Sequence, residues 1–368
     1  MILLTVIVLA VLFFVYLSTK VNERRIEDDN FKREKILFIC ATIILIFFAG
    51  LRTEYNDTTA YMYSYIIVKG DFSEFSKIDW SIGKYPLFNC VLIVLKIFGA
   101  TPQMFIFIFS AFTIGTLMWF IYKYSDNNIL MSVFIFITIG FYTFNLAAIK
   151  QCTSIALCLI AINFLINKKP VRFFVFVIIA AFFHPYSILY LIVPFLRFVP
   201  WSRRSLLLLL AFLVAGFSLQ GMFGTITDVS VNLGGEYSAE SFKGEGVNVF
   251  RVAVSWVSVI LSFFVKDKIT ENNDSNANMF INLSFLNAGF MFIGLFGDAN
   301  YFARFANYFV VFQVLSIPYL INQFDEANGK TLKSLAVVGY SGFFIYANQF
   351  NEQFDLAYKS TSVLDLFR

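Results

Sequence analysis

Residues 129–151 read ILMSVFIFITIGFYTFNLAAIKQ. Residues 129–149 carry no charge, and Lys150 ends the run. A bilayer core about 30 Å thick selects helices of about 20 predominantly apolar residues, and this stretch meets that requirement. Val133–Ile139 shows no alternation of apolar and polar positions, which excludes the roughly ten-residue alternating strands of a membrane barrel. Backbone polar groups cannot go unpaired in lipid, so a segment of this kind must be a helix.

The rest of the chain repeats the pattern. Of 368 residues, 59% are hydrophobic and 14% charged, against about 25% charged in an ordinary soluble domain. Comparable apolar runs cover 2–17, 36–51, 86–98, 103–122, 129–146, 152–167, 171–184, 186–198, 205–220, 250–265, 278–296, 304–322 and 334–349. The expected fold is therefore an all-α polytopic membrane protein of 11–13 transmembrane or membrane-embedded helices, with residues 1–368 as one integral membrane domain. Ile2–Leu17 has neither a charged leader nor a small-residue cleavage site, so it reads as a retained first helix. Cys40, Cys90, Cys152 and Cys158 lie in or beside apolar runs without metal-ligand spacing, and read as buried thiols. The net charge of +4 is too small to argue for a nucleic-acid partner.

The placement of charge sets an orientation. Basic turns occur at Lys20–Lys35, at Lys168, Lys169 and Arg172, at Arg197, Arg203 and Arg204, at Lys266 and Lys268, and at Lys330 and Lys333. Assigned to the cytoplasm by the positive-inside rule, they put 52–85, 221–249 and 297–303 outside. Residues 221–249, rich in Gly, Ser and Thr, read as a large flexible outer loop, and 52–85 as a second outer loop. Parity holds only if 86–98 does not cross. That segment is short, carries Lys96 and ends in Gly99-Ala100-Thr101-Pro102, so it reads as dipping or interfacial.

Ionisable groups at membrane depth are costly and therefore functional candidates. They are Arg52 with the following Glu54 and Asp57, Lys150 beside Gln151, His184 (the only histidine) before Pro185, Arg251 and Arg304. Under the orientation above they gather near one face, where clustered cations would bind an anion such as a lipid diphosphate. Blander roles stand beside this one. A cation at a helix end also serves as a headgroup anchor, and a lone membrane histidine also serves as a structural hydrogen bonder. Tyr55, Tyr61, Tyr63 and Tyr65 suit an interfacial aromatic belt as well as a sugar-stacking surface.

Several motifs resemble those of EpsG/Wzy-type polysaccharide (O-antigen or capsule repeat-unit) polymerases. Arg52-x4-Asp57-x3-Tyr61-x3-Tyr65 is similar to the first outer loop of that family. Ile149-Lys150-Gln151-x4-Ala156 resembles its Arg-Gln-x-x-Ala helix start, Phe183-His184-x-x-Ser187 its Phe-His-x-Ser motif, and Arg304-x3-Tyr308 its late arginine–tyrosine pair. Arg251 also falls where the family often has an arginine. Two positions depart from the pattern. Lys150 replaces an arginine, exchanging a bidentate phosphate contact for a point charge, and Asn56 stands where a small residue is usual, with no glycine before Asp57.

The resemblance implies a core like that of the lipid-dependent GT-C glycosyltransferases with an outer-face cavity. It implies polymerisation of undecaprenyl-diphosphate-linked oligosaccharides at the outer face of the bacterial inner membrane, without a cofactor or metal. Arg52, Lys150, Gln151, Arg251, Arg304, Tyr61 and Tyr308 would hold diphosphate and sugar. His184 has the only side chain whose unperturbed pKa suits a base at neutral pH, with Asp57 as the alternative. Expected partners are the lipid-linked oligosaccharide, membrane lipid and a chain-length regulator protein. The rival functions are an O-antigen ligase-like transferase and a polysaccharide or lipid transporter.

Overall fold

The computed structural model describes residues 2–23, 28–232, 246–297, 299–351 and 354–366. Helices α1 (Ile2–Glu23) and α2 (Asp28–Gly50) pack as a hairpin. Leu4, Val8, Val11 and Val15 recur every three or four residues and share one buried cluster with Phe38, Ala41, Leu45 and Phe48 of α2. On the opposite face of α1, Ile2, Val6, Leu9 and Phe13 are exposed. An apolar face of this extent suits contact with lipid rather than water.

After α2 come strand β1 (Arg52–Glu54), α3 (Thr58–Ile67), two 3₁₀ turns (Phe72–Lys77 and Ile82–Lys84) and α4 (Pro86–Ile97). The 12 residues of α4 give a rod about 18 Å long at about 1.5 Å per residue. That falls short of a hydrocarbon core about 30 Å thick. Next is α5 (Pro102–Tyr124), started by Pro102 in its first turn and by Thr101, whose hydroxyl accepts from the Met104 N–H at 3.1 Å.

The run 129–149 is not one helix. Gly140 sits at φ +86°, a conformation glycine adopts without strain, and separates α6 (Ile129–Thr138) from α7 (Phe141–Ala147) with a bend of 52°. Then follow α8 (Ile149–Ile166), α9 (Pro170–Phe183), an eleven-residue 3₁₀ segment (Pro185–Phe195) and α10 (Arg203–Asn232). The helix of α10 thus extends past residue 220, into the stretch read from sequence as loop 221–249; residues 233–245 of that stretch lie outside the described residues.

Helices α11 (Val249–Phe264) and α12 (Lys266–Asn272) meet at 71°, and α13 (Ser275–Ile293) follows. Helix α13 is buried on all sides and packs against α10 and α11 as well as the next two helices, α14 (Ala299–Asn307) and α15 (Val310–Ile321). At Gly289 an added Cβ would lie 2.4 Å from the Phe212 ring, so the approach of α10 to α13 requires glycine there. Two buried amide groups of α13 donate to carbonyls at helix breaks. The amide of Asn282 donates to Leu196 and Phe198 at 3.0 and 2.7 Å, and that of Asn287 to Ala306 at 2.7 Å.

The chain closes with α16 (Glu326–Ile345), a π-helical turn (Tyr346–Asn351), α17 (Phe354–Ala357) and strand β2 (Lys359–Ser360). Strand β2 pairs antiparallel with β1, Arg52 opposite Ser360, and the Tyr358 hydroxyl donates to the Phe48 carbonyl at 2.6 Å.

Among the described residues, three helices are long and apolar enough to cross a membrane alone, within α1, α5 and α8. Counting each bent pair as one span raises this to six. The segment count expected from hydropathy is larger, and two of its segments, 129–146 and 304–322, are each split into a bent pair, at Gly140 and at Tyr308-Phe309. The apolar helices are compatible with a multi-pass membrane protein.

Candidate functional site

A cavity of about 530 Å³ opens where the broken helices meet. Its floor is the α6–α7 break, with Gly140, Thr143, Phe144 and Ala147 exposed to it. Three cations line it: Lys150, Arg251 and Arg304. Among the described lining residues Asp57 is the one carboxylate, beside these three cations.

Two of the cations stand at helix starts. Lys150 and Gln151 occupy the first turn of α8, whose preceding Ala147 and Ala148 also face the cavity. Arg251 is in the first turn of α11, capped by the Asn248 side chain, which accepts from the Phe250 N–H at 2.9 Å. Unpaired N–H groups at a helix start carry about half a positive charge, so both termini reinforce the cations.

The Lys150 ammonium lies 4.2 Å from the Tyr85 ring centroid, 5.1 Å from that of Phe88 and 6.0 Å from that of Tyr61. Aromatic faces hold it, and no carboxylate pairs with it among the described residues. Arg304 is exposed, and its backbone carbonyl accepts from the Gln151 amide at 2.6 Å, joining α14 to the start of α8.

His184 ends α9 in extended backbone (φ −161°, ψ 123°), because Pro185 forbids the helix from continuing. The imidazole is 6% exposed and lines the cavity. Its Nδ1 lies 2.9 Å from the Tyr308 hydroxyl. That hydroxyl lies 3.1 Å from Ser154 Oγ, which donates to the Ala180 carbonyl at 2.9 Å. One assignment of the protons gives each of these contacts a donor. Ser154 spends its proton on Ala180, Tyr308 donates to Ser154, and Tyr308 is left to accept from Nδ1–H. In this arrangement Nε2 carries the lone pair, the tautomer a general base requires.

Asp57 is exposed and precedes α3 without making a cap hydrogen bond, so its carboxylate faces the cavity. Asp79, in the same loop, is different. Ser81 donates to it through N–H at 2.9 Å and hydroxyl at 2.7 Å, which holds its carboxyl below the usual range.

Of the residues expected from sequence, Asp57, Tyr61, Lys150, Gln151, His184, Arg251 and Arg304 line one cavity. Tyr308 does not line it and acts only through His184. Arg52 stands apart. It is 1% exposed, and its guanidinium donates to Thr58 Oγ1 at 3.1 Å, to Ser110 Oγ at 2.8 Å and to the Ala49 carbonyl. Its backbone carbonyl accepts from Gln103 at 3.1 Å. Sequence reasoning did not single out Tyr85, Asn248, Asn307 and Tyr346, which also line the cavity. Asn248, three positions before Arg251 in a helix-capping position, carried a readable signal; Tyr85 and Tyr346 carried none.

The fold and site define a polytopic helical protein whose broken helices enclose a cationic cavity. Residues 35–360 match the family model described as the EpsG family, and the chain belongs to that family. No curated protein and no solved structure matches it. Membership suggests a polysaccharide-polymerase-like role and a glycosyltransferase-like activity.

Proposed function

We propose that the protein polymerises lipid-diphosphate-linked oligosaccharide repeat units by glycosyl transfer. The observation that carries this reading is the meeting of Lys150, Arg251 and Arg304 in one cavity, two of them at helix starts, with His184 on its wall. A diphosphate ester placed there would have its leaving charge stabilised by Lys150, Arg251, Arg304 and the two helix starts. The acceptor hydroxyl attacks the anomeric carbon as the bond from that carbon to the diphosphate oxygen breaks. The hydroxyl proton passes to His184 Nε2, and the electron pair of the broken bond leaves on the diphosphate. Tyr308 and Ser154 act as positioning residues that fix the imidazole tautomer. Asp57 is the alternative base. Tyr61 and Tyr85 offer ring faces to sugars.

Orientation is supported by the far ends of the same helices. Helices α8 and α11 begin at the cavity and run toward Lys168-Lys169 and Lys266-Lys268. Helices α9 and α16 begin near Arg172 and Lys330 and end at the cavity. With basic turns in the cytoplasm, the cavity opens on the outer face, as an undecaprenyl-diphosphate donor at the bacterial inner membrane would require.

One observation favours a second reading. Broken helices flanking a site are common in transporters, and two flank this one, at Gly140 and at Tyr308-Phe309. An assay with purified protein and lipid-linked repeat units separates the two. Lengthening of the lipid-linked chain supports the polymerase. Passage of the units across proteoliposomes without lengthening would replace it with transport, and product appearing on a lipid A core with a ligase-like transferase.

A further inference from the structure

An apolar groove of about 330 Å³ lies between α11 and α16, over the end of α15 at Ile321. On α11 its wall is Val254, Val257 and Leu261, which follow Arg251 at intervals of three, three and four residues. On α16 its wall includes Leu332, Ala336 and Gly339, on the same helix face as Phe343 and Tyr346 of the cavity. Each helix therefore carries cavity wall at one end and groove wall further along. Val254 also borders the small recess that shares Arg251, Gly140 and Asn307 with the cavity, so groove and cavity are neighbours along α11.

The dimensions narrow the occupant. From Arg251 to Leu261 α11 runs about 15 Å, half of a hydrocarbon core about 30 Å thick. A helix about 10 Å across would need roughly three times the groove's volume over that length. A single hydrocarbon chain fits. At Gly339 an added Cβ would meet nothing within 4 Å, which leaves the groove open at its end nearest the cavity.

We propose that this groove seats the hydrocarbon tail of the polyprenyl diphosphate whose head occupies the cavity, so that the donor enters sideways from the bilayer between α11 and α16. The inference rests on the diphosphate reading of the cavity. Because a tail leaves lipid to enter the groove, no hydrophobic gain drives the step. The groove instead fixes the tail's direction and so the position of the head.

The test uses the purified full chain in phosphatidylcholine nanodiscs, with undecaprenyl diphosphate, undecaprenyl alcohol and inorganic diphosphate as probes. Gly339→Leu adds a side chain in the groove where a Cβ meets nothing within 4 Å and removes a glycine from a helix interior, so its thermal midpoint should not fall. It should weaken undecaprenyl diphosphate by about tenfold and leave inorganic diphosphate unchanged. Equal affinity of wild type and Gly339→Leu for undecaprenyl diphosphate would overturn the groove, even where Lys150→Ala abolishes inorganic diphosphate binding and so upholds the cavity. If wild type ignores inorganic diphosphate yet loses undecaprenyl alcohol on Gly339→Leu, the groove stands and the diphosphate reading falls.

Discussion

Two places in this protein hold cations at membrane depth, and they treat them in opposite ways. Behind α2, Arg52 is surrounded by Thr58, Ser110 and the Ala49 carbonyl. Across the bundle, Lys150 and Arg304 form no ion pair among the described residues, and the ammonium of Lys150 lies against ring faces. A charge whose donors are spent on its own protein organises the fold. A charge whose donors are kept open is available to a ligand. Burial and partners both separate the two cases, Arg52 being enclosed, Lys150 half-buried and Arg304 exposed.

Substitutions should therefore cost rate on one side and stability on the other. The largest effect is expected at His184. His184→Ala should slow turnover by about 10²–10⁴-fold with donor binding little changed, and the wild-type rate should fall on acidification as the imidazole protonates. Near-native turnover of His184→Gln would move the role of base to Asp57. Next come Lys150→Ala and Arg304→Ala, each expected to lower the rate about 10²–10³-fold while the melting temperature in detergent stays within a few degrees. Lys150→Arg keeps the charge with changed geometry and should retain partial activity.

Arg52→Ala should behave in the reverse manner. Stranding Ser110, Thr58 and the Ala49 carbonyl is expected to cost about 3 kcal/mol of stability, seen as a lower melting temperature. A stable Arg52→Ala protein without activity would erase the contrast and return Arg52 to the substrate site. The smallest effect belongs to Tyr308→Phe, which removes two neutral hydrogen bonds, to Ser154 and to the imidazole, and should slow turnover about tenfold. It should also alter the pH–rate profile, because the imidazole tautomer is no longer fixed. A lower rate with an unaltered profile would reduce Tyr308 to packing.

Much of the cavity was legible in the sequence because a charge in an apolar run is conspicuous. Lys150, His184, Arg251 and Arg304 each interrupt or open such a run, and all four reach the same space. Arg52 carried the same signal and has a different setting. Its partner Ser110 lies 58 positions away, a pairing that no local pattern announces. Helix breaks were harder to read than helices. Gly140 and Pro185 are visible punctuation, whereas the break at Tyr308-Phe309 has neither residue and arises from packing around α13. Short α4, by contrast, was foreseen from its length and from charge parity, both local quantities.

The β1–β2 pair has a consequence for biogenesis. Tyr358, which donates to Phe48, follows it by 310 positions. At a synthesis rate of about 5–20 residues per second, the closing segment leaves the ribosome about 15–60 s after its partner. Through that interval α2 and β1 are inserted without the strand that covers them, and Glu54 awaits Lys359, its partner at 2.8 Å in the finished protein. Quality control acting on a nascent chain would meet this seam open, so a stop codon just ahead of Tyr358 would leave a nearly full-length protein in the state of its own unfinished precursor.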